Sequence, residues 1–131
     1  MINFSSKQYE WQENMDVIMQ CVNLNRIGIE NNFKMVFDFL NSYDGKHYKK
    51  IVCHSVWKFS SDVDLSPEDE FPFFICDVRI IKLEKDDIHS AFANFGFGLA
   101  IPESEEYYLL CMDDGDISIS LICQKVEVLD M

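Results

Sequence analysis

Apolar and polar residues alternate with a period of two from residue 33 onward, which is typical of β-strands that bury one face. The segment FKMVFDFL predicts one strand, and the residues of its buried face are Phe33, Met35, Phe37 and Phe39. A turn is predicted in NSYDGKHY, which contains the Asp-Gly pair that favours hairpin turns. The segment KKIVCHSVWKF predicts the next strand, and the residues of its buried face are Ile51, Cys53, Trp57 and Phe59.

The clearest hairpin lies in the carboxyl-terminal segment EEYYLLCMDDGDISISLICQKVEV. If the Asp-Gly pair at 114–115 forms a two-residue turn, Met112 faces Ile117 and the two strands share one apolar side. The residues of that side are Tyr108, Leu110, Met112, Ile117, Ile119 and Leu121. In this register Asp113 and Asp116 would repel each other across the turn, so we expect a longer, four-residue loop.

Segment 86–95, DDIHSAFANF, predicts a short helix with an Asp cap at its start and Gly96 after its end. The residues of its buried stripe are Ile88, Ala91, Phe92 and Phe95. Before it, FPFFICDVRIIKL is apolar on both faces, which predicts a strand in the middle of a sheet.

The amino-terminal segment 6–22 fits two structures. Its apolar residues fall at helical spacing, but Val17, Met19 and Cys21 also alternate with polar neighbours as in a strand. Both alternatives stay open, and the Asn-rich NLN and ENN segments that follow predict turns.

These elements predict a mainly-β fold, an antiparallel β-sandwich or barrel-like sheet with one or two short helices. A chain of 131 residues fits a single domain, residues 1–131, and eleven Phe residues supply a substantial core. This aromatic content also argues against a disordered chain.

The cysteine pattern predicts reduced core thiols. The five cysteines are an odd number without a CxxC pair, and they are Cys21, Cys53, Cys76, Cys111 and Cys123. The amino terminus lacks the features of a signal peptide, and no apolar run is long enough to span a bilayer. We therefore expect a cytoplasmic protein.

The formal net charge of −12 lies entirely in residues 51–131, which carry seventeen acids and five bases. Four acidic segments, 62–70, 84–87, 103–106 and 113–116, hold fourteen of the acids, and several of them could merge into one negative surface. Such a surface favours a basic protein partner over nucleic acid or an anionic membrane. The candidate partner-binding residues are Asp62, Asp64, Glu68, Asp69, Glu70, Asp113, Asp114 and Asp116.

No metal, cofactor or catalytic site is predicted. A calcium loop starting at Asp62 would need Gly and Glu at the positions occupied by Pro67 and Phe73. Cys111 and Cys123 are predicted on opposite faces of the hairpin, which argues against zinc. Cys53 and His54 are strand neighbours and likewise point apart, and no Gly-rich phosphate loop is present.

The segment FPFFICDVRIIKL, the closing hairpin that ends in ISISLIC, and the acidic single-domain format resemble small β-rich bacterial immunity-type proteins of polymorphic toxin systems. The resemblance implies a non-catalytic inhibitor that binds one cognate toxin. Two alternatives remain: a metal- or small-molecule-binding domain that uses the acidic segments, and an accessory subunit that binds a larger assembly through an apolar patch.

Overall fold

The computed structural model describes residues 15–63, 72–95 and 105–131. These residues form six strands and one helix: β1 (Asp16–Glu30), β2 (Lys34–Asn41), β3 (His47–Val63), β4 (Phe73–Lys82), α1 (Lys85–Ala93), β5 (Tyr108–Asp113) and β6 (Ile117–Asp130). The strands close into an antiparallel barrel in the order β1-β2-β3-β6-β5-β4. The predicted mainly-β, barrel-like class with a short helix is therefore confirmed.

The barrel interior is a single apolar core that all six strands supply. Its fully buried members include Leu24, Phe37, Phe39, Ile51, Ile75, Leu110, Met112 and Leu121. The period-two alternation predicts this arrangement, because every second side chain of each strand points inward. The predicted inward positions Met35, Ile51 and Cys53 are confirmed.

Three residues predicted to be buried are exposed: Phe33, Trp57 and Phe59, of which Phe59 is 40% exposed. Phe33 is 77% exposed because it belongs to the β1–β2 turn, where its φ is +57°. Trp57 is the extra residue of a β-bulge, because the register shifts between Val56 and Lys58, and Ser55 just before the bulge has a φ of +54°. The extra residue reverses the alternation and turns the indole onto the outer face.

Helix α1 packs on the outside of the barrel and creates a second apolar cluster. Its buried members are Leu83, Ile88, Ala91, Phe92, Tyr107, Leu109, Cys111 and Ile122. The predicted helix stripe is confirmed, with Phe95 partly buried. The predicted Asp cap is wrong, because Glu84 occupies the cap position and makes no side-chain capping bond. Gly96 lies outside the described residues.

The sequence allows a helix or a strand for segment 6–22. Its described part is a strand, because β1 begins at Asp16. The NLN segment lies inside β1, where the register shifts between Leu24 and Arg26, so the predicted turn is a strand irregularity. The ENN segment does lead into the β1–β2 turn. Residues 6–14 lie outside the described residues.

The β5–β6 hairpin has a different register from the two-residue-turn alignment. Met112 pairs with Ile119 and Leu110 with Leu121, so the register is displaced by two residues. The connection is therefore longer than a two-residue turn, as charge repulsion predicted, but six residues, 113–118, separate the last pair instead of four. A displacement by two leaves each side chain on its predicted face, and the apolar side still lines the core.

The five cysteines are free, but they are not all core thiols. Cys53, Cys111 and Cys123 are buried, Cys76 is half-buried and Cys21 is exposed. Among the described residues, the model contains no helix with the length and apolar character needed to span a membrane.

Candidate functional site

Among the described residues, five aspartates lie at one end of the barrel, which we call the acidic end: Asp62, Asp77, Asp113, Asp114 and Asp116. Strand pairing brings them together. Asp77 of β4 lies opposite Asp113 of β5, and Asp62 of β3 lies opposite Ser118, two residues after Asp116. The sequence predicts four of these residues as candidates, and the β3–β6, β5–β6 and β4–β5 pairings bring them to the same end of the barrel.

The turn between β5 and β6 is fixed to the backbone of β4. Asp116 donates its backbone N–H to the carbonyl oxygen of Phe74 at 2.8 Å. In return, the backbone N–H of Phe74 donates to Oδ2 of Asp116 at 3.1 Å. Asp114 adopts a left-handed φ of +59°, which Asp tolerates better than most residues. The Asp116 carboxylate is therefore held by a backbone N–H of β4, and the backbone of the turn is fixed to β4.

Three carboxylates of the acidic end form a tight group. One oxygen from each of Asp77, Asp113 and Asp114 lies within 4.8 Å of the other two. Arg79 forms an ion pair with Oδ2 of Asp113, and Nε2 of Gln20 donates to Oδ1 of Asp77 at 3.3 Å. Since one guanidinium faces three carboxylates, the group keeps an excess of negative charge.

The pKa of Asp113 reflects this crowding. Burial raises the pKa of its carboxyl above the usual value, and the negative charges of Asp114 and Asp77 raise it further. The hydrogen bond and positive charge of Arg79 act in the opposite direction but do not cancel the increase. Its Oδ1 atom is buried and has no hydrogen-bond partner among the described residues.

The arrangement can accept cationic hydrogen-bond donors. Ionised carboxylates only accept hydrogen bonds, and guanidinium or ammonium groups match them in charge and geometry. A nucleophilic role for the buried cysteines is disfavoured, because burial raises the pKa of the Cys111 thiol to about 12. A hydrogen bond with the Cys123 thiol, together with burial, also raises the pKa of Cys53.

The four acidic segments do not all lie at the same end of the barrel. The β4–β5 pair has Asp77 and Asp113 at one end and Lys82 and Tyr108 at the other. Segment 84–87 begins two residues after Lys82, so it lies at the opposite end from the 113–116 turn. Glu106 also belongs to that opposite end, where it forms an ion pair with Lys82 at 2.9 Å. Asp64, Glu68, Asp69 and Glu70 lie outside the described residues.

Asp77 is the member of the acidic end that sequence reasoning missed. Asp77 and Arg79 share a strand face, so the pattern suggests that they pair with each other. The ion pair instead joins Arg79 to Asp113 on the neighbouring strand. The Arg79–Asp113 ion pair depends on the register between β4 and β5. Because α1 separates these two strands in the sequence, the register could not be predicted.

The outward orientation of His54 agrees with the sequence prediction. His54 lies on the outer surface, where its Nε2 is 2.6 Å from Oε1 of Glu127, whereas Cys53 is buried inside the barrel. Cys111 lies in the cluster under α1 and Cys123 lies in the barrel interior. These two cysteines therefore point to opposite faces, as predicted.

A protein-family model described as "-like" matches residues 17–130 of the chain. The chain is also similar to the crystal structure of an uncharacterized protein from Neisseria gonorrhoeae, with a TM-score of 0.63 and 20% sequence identity. This similarity covers 87% of this chain and 95% of the other, and it shows the fold. No curated protein matches the chain.

Proposed function

We propose that this chain, which belongs to the family whose model matches residues 17–130, is a non-catalytic protein-binding module whose acidic end contacts a basic partner. The observation that carries the proposal is the group formed by Asp77, Asp113 and Asp114, whose carboxylate oxygens lie within 4.8 Å of one another. Like charges at this separation repel, so the isolated protein holds them together at a cost in stability. A cationic side chain of a partner would remove that cost on binding.

Rigidity of the acidic end supports the same function. The two Asp116–Phe74 hydrogen bonds and the β4–β5 ladder fix the backbone that carries the acidic side chains before any partner binds. A preorganised surface loses less conformational entropy on association than a flexible loop does. The excess negative charge would also accelerate encounter with a basic protein, in a salt-dependent manner.

The proposal includes a cytoplasmic location and a partner that is a basic protein. Free thiols, including the exposed Cys21, are typical of a reducing compartment. Inhibition of a basic toxin, as in the immunity-type proteins, is the narrower form of the proposal. It predicts that one equivalent of this protein abolishes the activity of a captured toxin.

The decisive experiment compares two double variants that remove the same charge from opposite ends of the barrel. Asp62→Asn with Asp114→Asn alters the acidic end, and Glu84→Gln with Asp86→Asn alters the exposed start of α1. The wild-type protein and both variants are used to capture proteins from a lysate of the natural host, at low and at high salt. A captured basic partner is then purified, and its affinity for all three proteins is measured.

We expect the acidic-end variant to bind the purified partner roughly tenfold more weakly, because two exposed ion pairs contribute about 0.5–1 kcal/mol each. The α1 variant should bind like the wild-type protein. Equal weakening by both variants would show that binding depends on the net charge of the protein and not on the acidic end. The absence of any salt-sensitive partner would contradict the proposal. Thermal melting with and without calcium separates partner binding from cation binding, since a bound cation raises the melting temperature.

A further inference from the structure

Cys21 and Cys76 lie opposite each other on neighbouring strands. In the β1–β4 pair, Gln20 is matched with Asp77 and Val22 with Ile75. The residues between these two pairs are Cys21 and Cys76, so the register places them directly across from one another. Residues that face each other on antiparallel strands have Cα atoms about 4.5–5.5 Å apart, within the range of about 4.4–6.8 Å seen in disulfides.

An irregular backbone brings the Cys21 side chain to the outer surface. Simple alternation would place only one of two consecutive residues outside, yet Gln20 and Cys21 are both exposed between the buried Met19 and Val22. Cys21 has a φ of +52°, an unusual conformation for a residue other than Gly, Asn or Asp. Strained backbone of this kind concentrates at functional sites.

Cys76 has the same outward orientation on β4. It is half-buried and, with Asp77, lies between the buried Ile75 and Val78. Both thiols therefore lie on the outer side of the β1–β4 pair, away from the three buried cysteines. Since β1 and β4 are the two ends of the strand order, their pairing closes the barrel.

We propose that Cys21 and Cys76 are a redox-sensitive cross-strand dithiol, which low-molecular-weight disulfides such as oxidised glutathione convert to an intramolecular disulfide. The exposed Cys21 thiolate attacks one sulfur of oxidised glutathione, forms a mixed disulfide and expels one glutathione thiolate. The Cys76 thiolate then attacks the Cys21 sulfur and expels the second glutathione. The protein loses two electrons and two thiol protons, and the products are the Cys21–Cys76 disulfide and two molecules of reduced glutathione.

The surroundings assign different roles to the two thiols. Burial raises the pKa of Cys76 above its usual value, and the adjacent Cys21, Asp77, Asp114 and Asp113 raise it further. A protonated thiol is a poor nucleophile, so the exposed Cys21 makes the first attack and Cys76 completes the bond. The disulfide would then link β1 to β4 covalently at the closure of the barrel.

The test treats the fully reduced protein with excess oxidised glutathione, at a mildly alkaline pH, followed by intact mass measurement and peptide mapping without reduction. We expect the wild-type protein to lose two hydrogens and yield a Cys21–Cys76 linked peptide, with the three buried cysteines unmodified. Cys76→Ser should stop at a glutathione adduct on Cys21, and Cys21→Ser should react at least several-fold more slowly. The oxidised wild-type protein should melt at a higher temperature, and a reductant should reverse this shift.

Three results would overturn the inference: a wild-type protein that accumulates only the glutathione adduct, a disulfide that joins two copies of the chain, or an unreacted Cys21. The melting temperatures of the reduced serine variants show whether each remains folded. The test is independent of partner binding at the acidic end, so either proposal can fail without the other.

Discussion

At Gly115 the backbone of the β5–β6 turn packs tightly against the backbone of β4. A Cβ atom at this position would lie 2.1 Å from the carbonyl oxygen of Phe74 and 2.8 Å from the Cα of Ile75. Both are backbone atoms, so a larger residue could be accommodated only if one of the two strands moved. The absence of a side chain at Gly115 therefore permits the backbone bonds that hold Asp116 against β4.

Replacing Gly115 with Ala should lower the free energy of unfolding by about 2–3 kcal/mol, because the added methyl group collides with fixed backbone. The matched control is Gly45→Ala in the β2–β3 turn. Gly45 has a φ of +70° and open space around it, so its replacement should cost only about 1 kcal/mol. Urea unfolding monitored by circular dichroism measures both. Equal losses would show that the close approach at Gly115 contributes nothing.

At the scale of single residues, the sequence predicted only part of the local backbone structure. The Asp-Gly pair at 114–115 correctly predicted a turn. The turn is also hydrogen-bonded to the backbone of β4, which is distant in the sequence, so these bonds could not be predicted. The left-handed conformations of Cys21 and Ser55 had no signal at all, since neither residue type favours them. Trp57 was predicted on the buried face, and this error follows from the left-handed backbone at Ser55 and the register shift after Val56.

Helix α1 is attached to the barrel through an aromatic cluster of Trp57, Phe92 and Tyr107. The Phe92 and Tyr107 rings meet edge to face with centroids 5.3 Å apart. Trp57 contacts both rings, at 6.1 Å and 6.0 Å. This cluster explains why β5 and β6 are apolar on their outer face as well as inside the barrel.

Replacing Phe92 with Ala should destabilise the protein by about 3–5 kcal/mol, because it opens a cavity in the cluster that attaches α1. Tyr43→Ala is the control: its side chain is 95% exposed, so the expected change is within about 0.5 kcal/mol. Denaturant unfolding gives both values, and near-ultraviolet circular dichroism reports the loss of fixed aromatic packing. A small effect of Phe92→Ala would mean that α1 is not held by this cluster.

At the scale of elements, the period-two pattern was enough to identify the strands and most of their buried faces. It did not determine the pairing of β3 with β6 or of β1 with β4, which join segments far apart in the sequence. The distribution of acidic segments between the two ends depends on the barrel topology and could not be predicted for that reason. The register of the β5–β6 hairpin was displaced by two residues without changing either face, because two is the side-chain period of a strand.

At the scale of the whole molecule, the two halves of the chain differ in how their charges are compensated. Residues 1–50 carry six acids and six bases, and several are paired on the outer surface. Arg26 lies 3.1 Å from Asp38, Lys34 lies 3.3 Å from Glu30, and Lys49 lies 2.6 Å from Asp130 of β6. The acidic end has Arg79 as its ion-pair partner among the described residues, so repulsion there is only partly relieved.

Replacing Asp114 with Asn tests whether this repulsion costs stability. The substitution keeps the shape of the side chain, and Asn tolerates the left-handed φ of +59° as well as Asp does. Removing one negative charge beside Asp77 and Asp113 should stabilise the protein by a few tenths to about 1 kcal/mol in low salt. At an ionic strength of about 1 M the gain should largely disappear, because the screening length falls to roughly 3 Å.

The comparison variant is Asp86→Asn, which removes the same charge at the start of α1. It should be neutral or slightly destabilising, since a negative charge in the first turn favours the helix dipole. Urea unfolding at two salt concentrations measures both variants. If Asp114→Asn raises stability and also weakens binding of the basic partner, the crowded carboxylates are retained for recognition at the expense of stability. If it lowers stability, or its effect does not depend on salt, the carboxylate of Asp114 supports the fold and the electrostatic account of the acidic end is wrong.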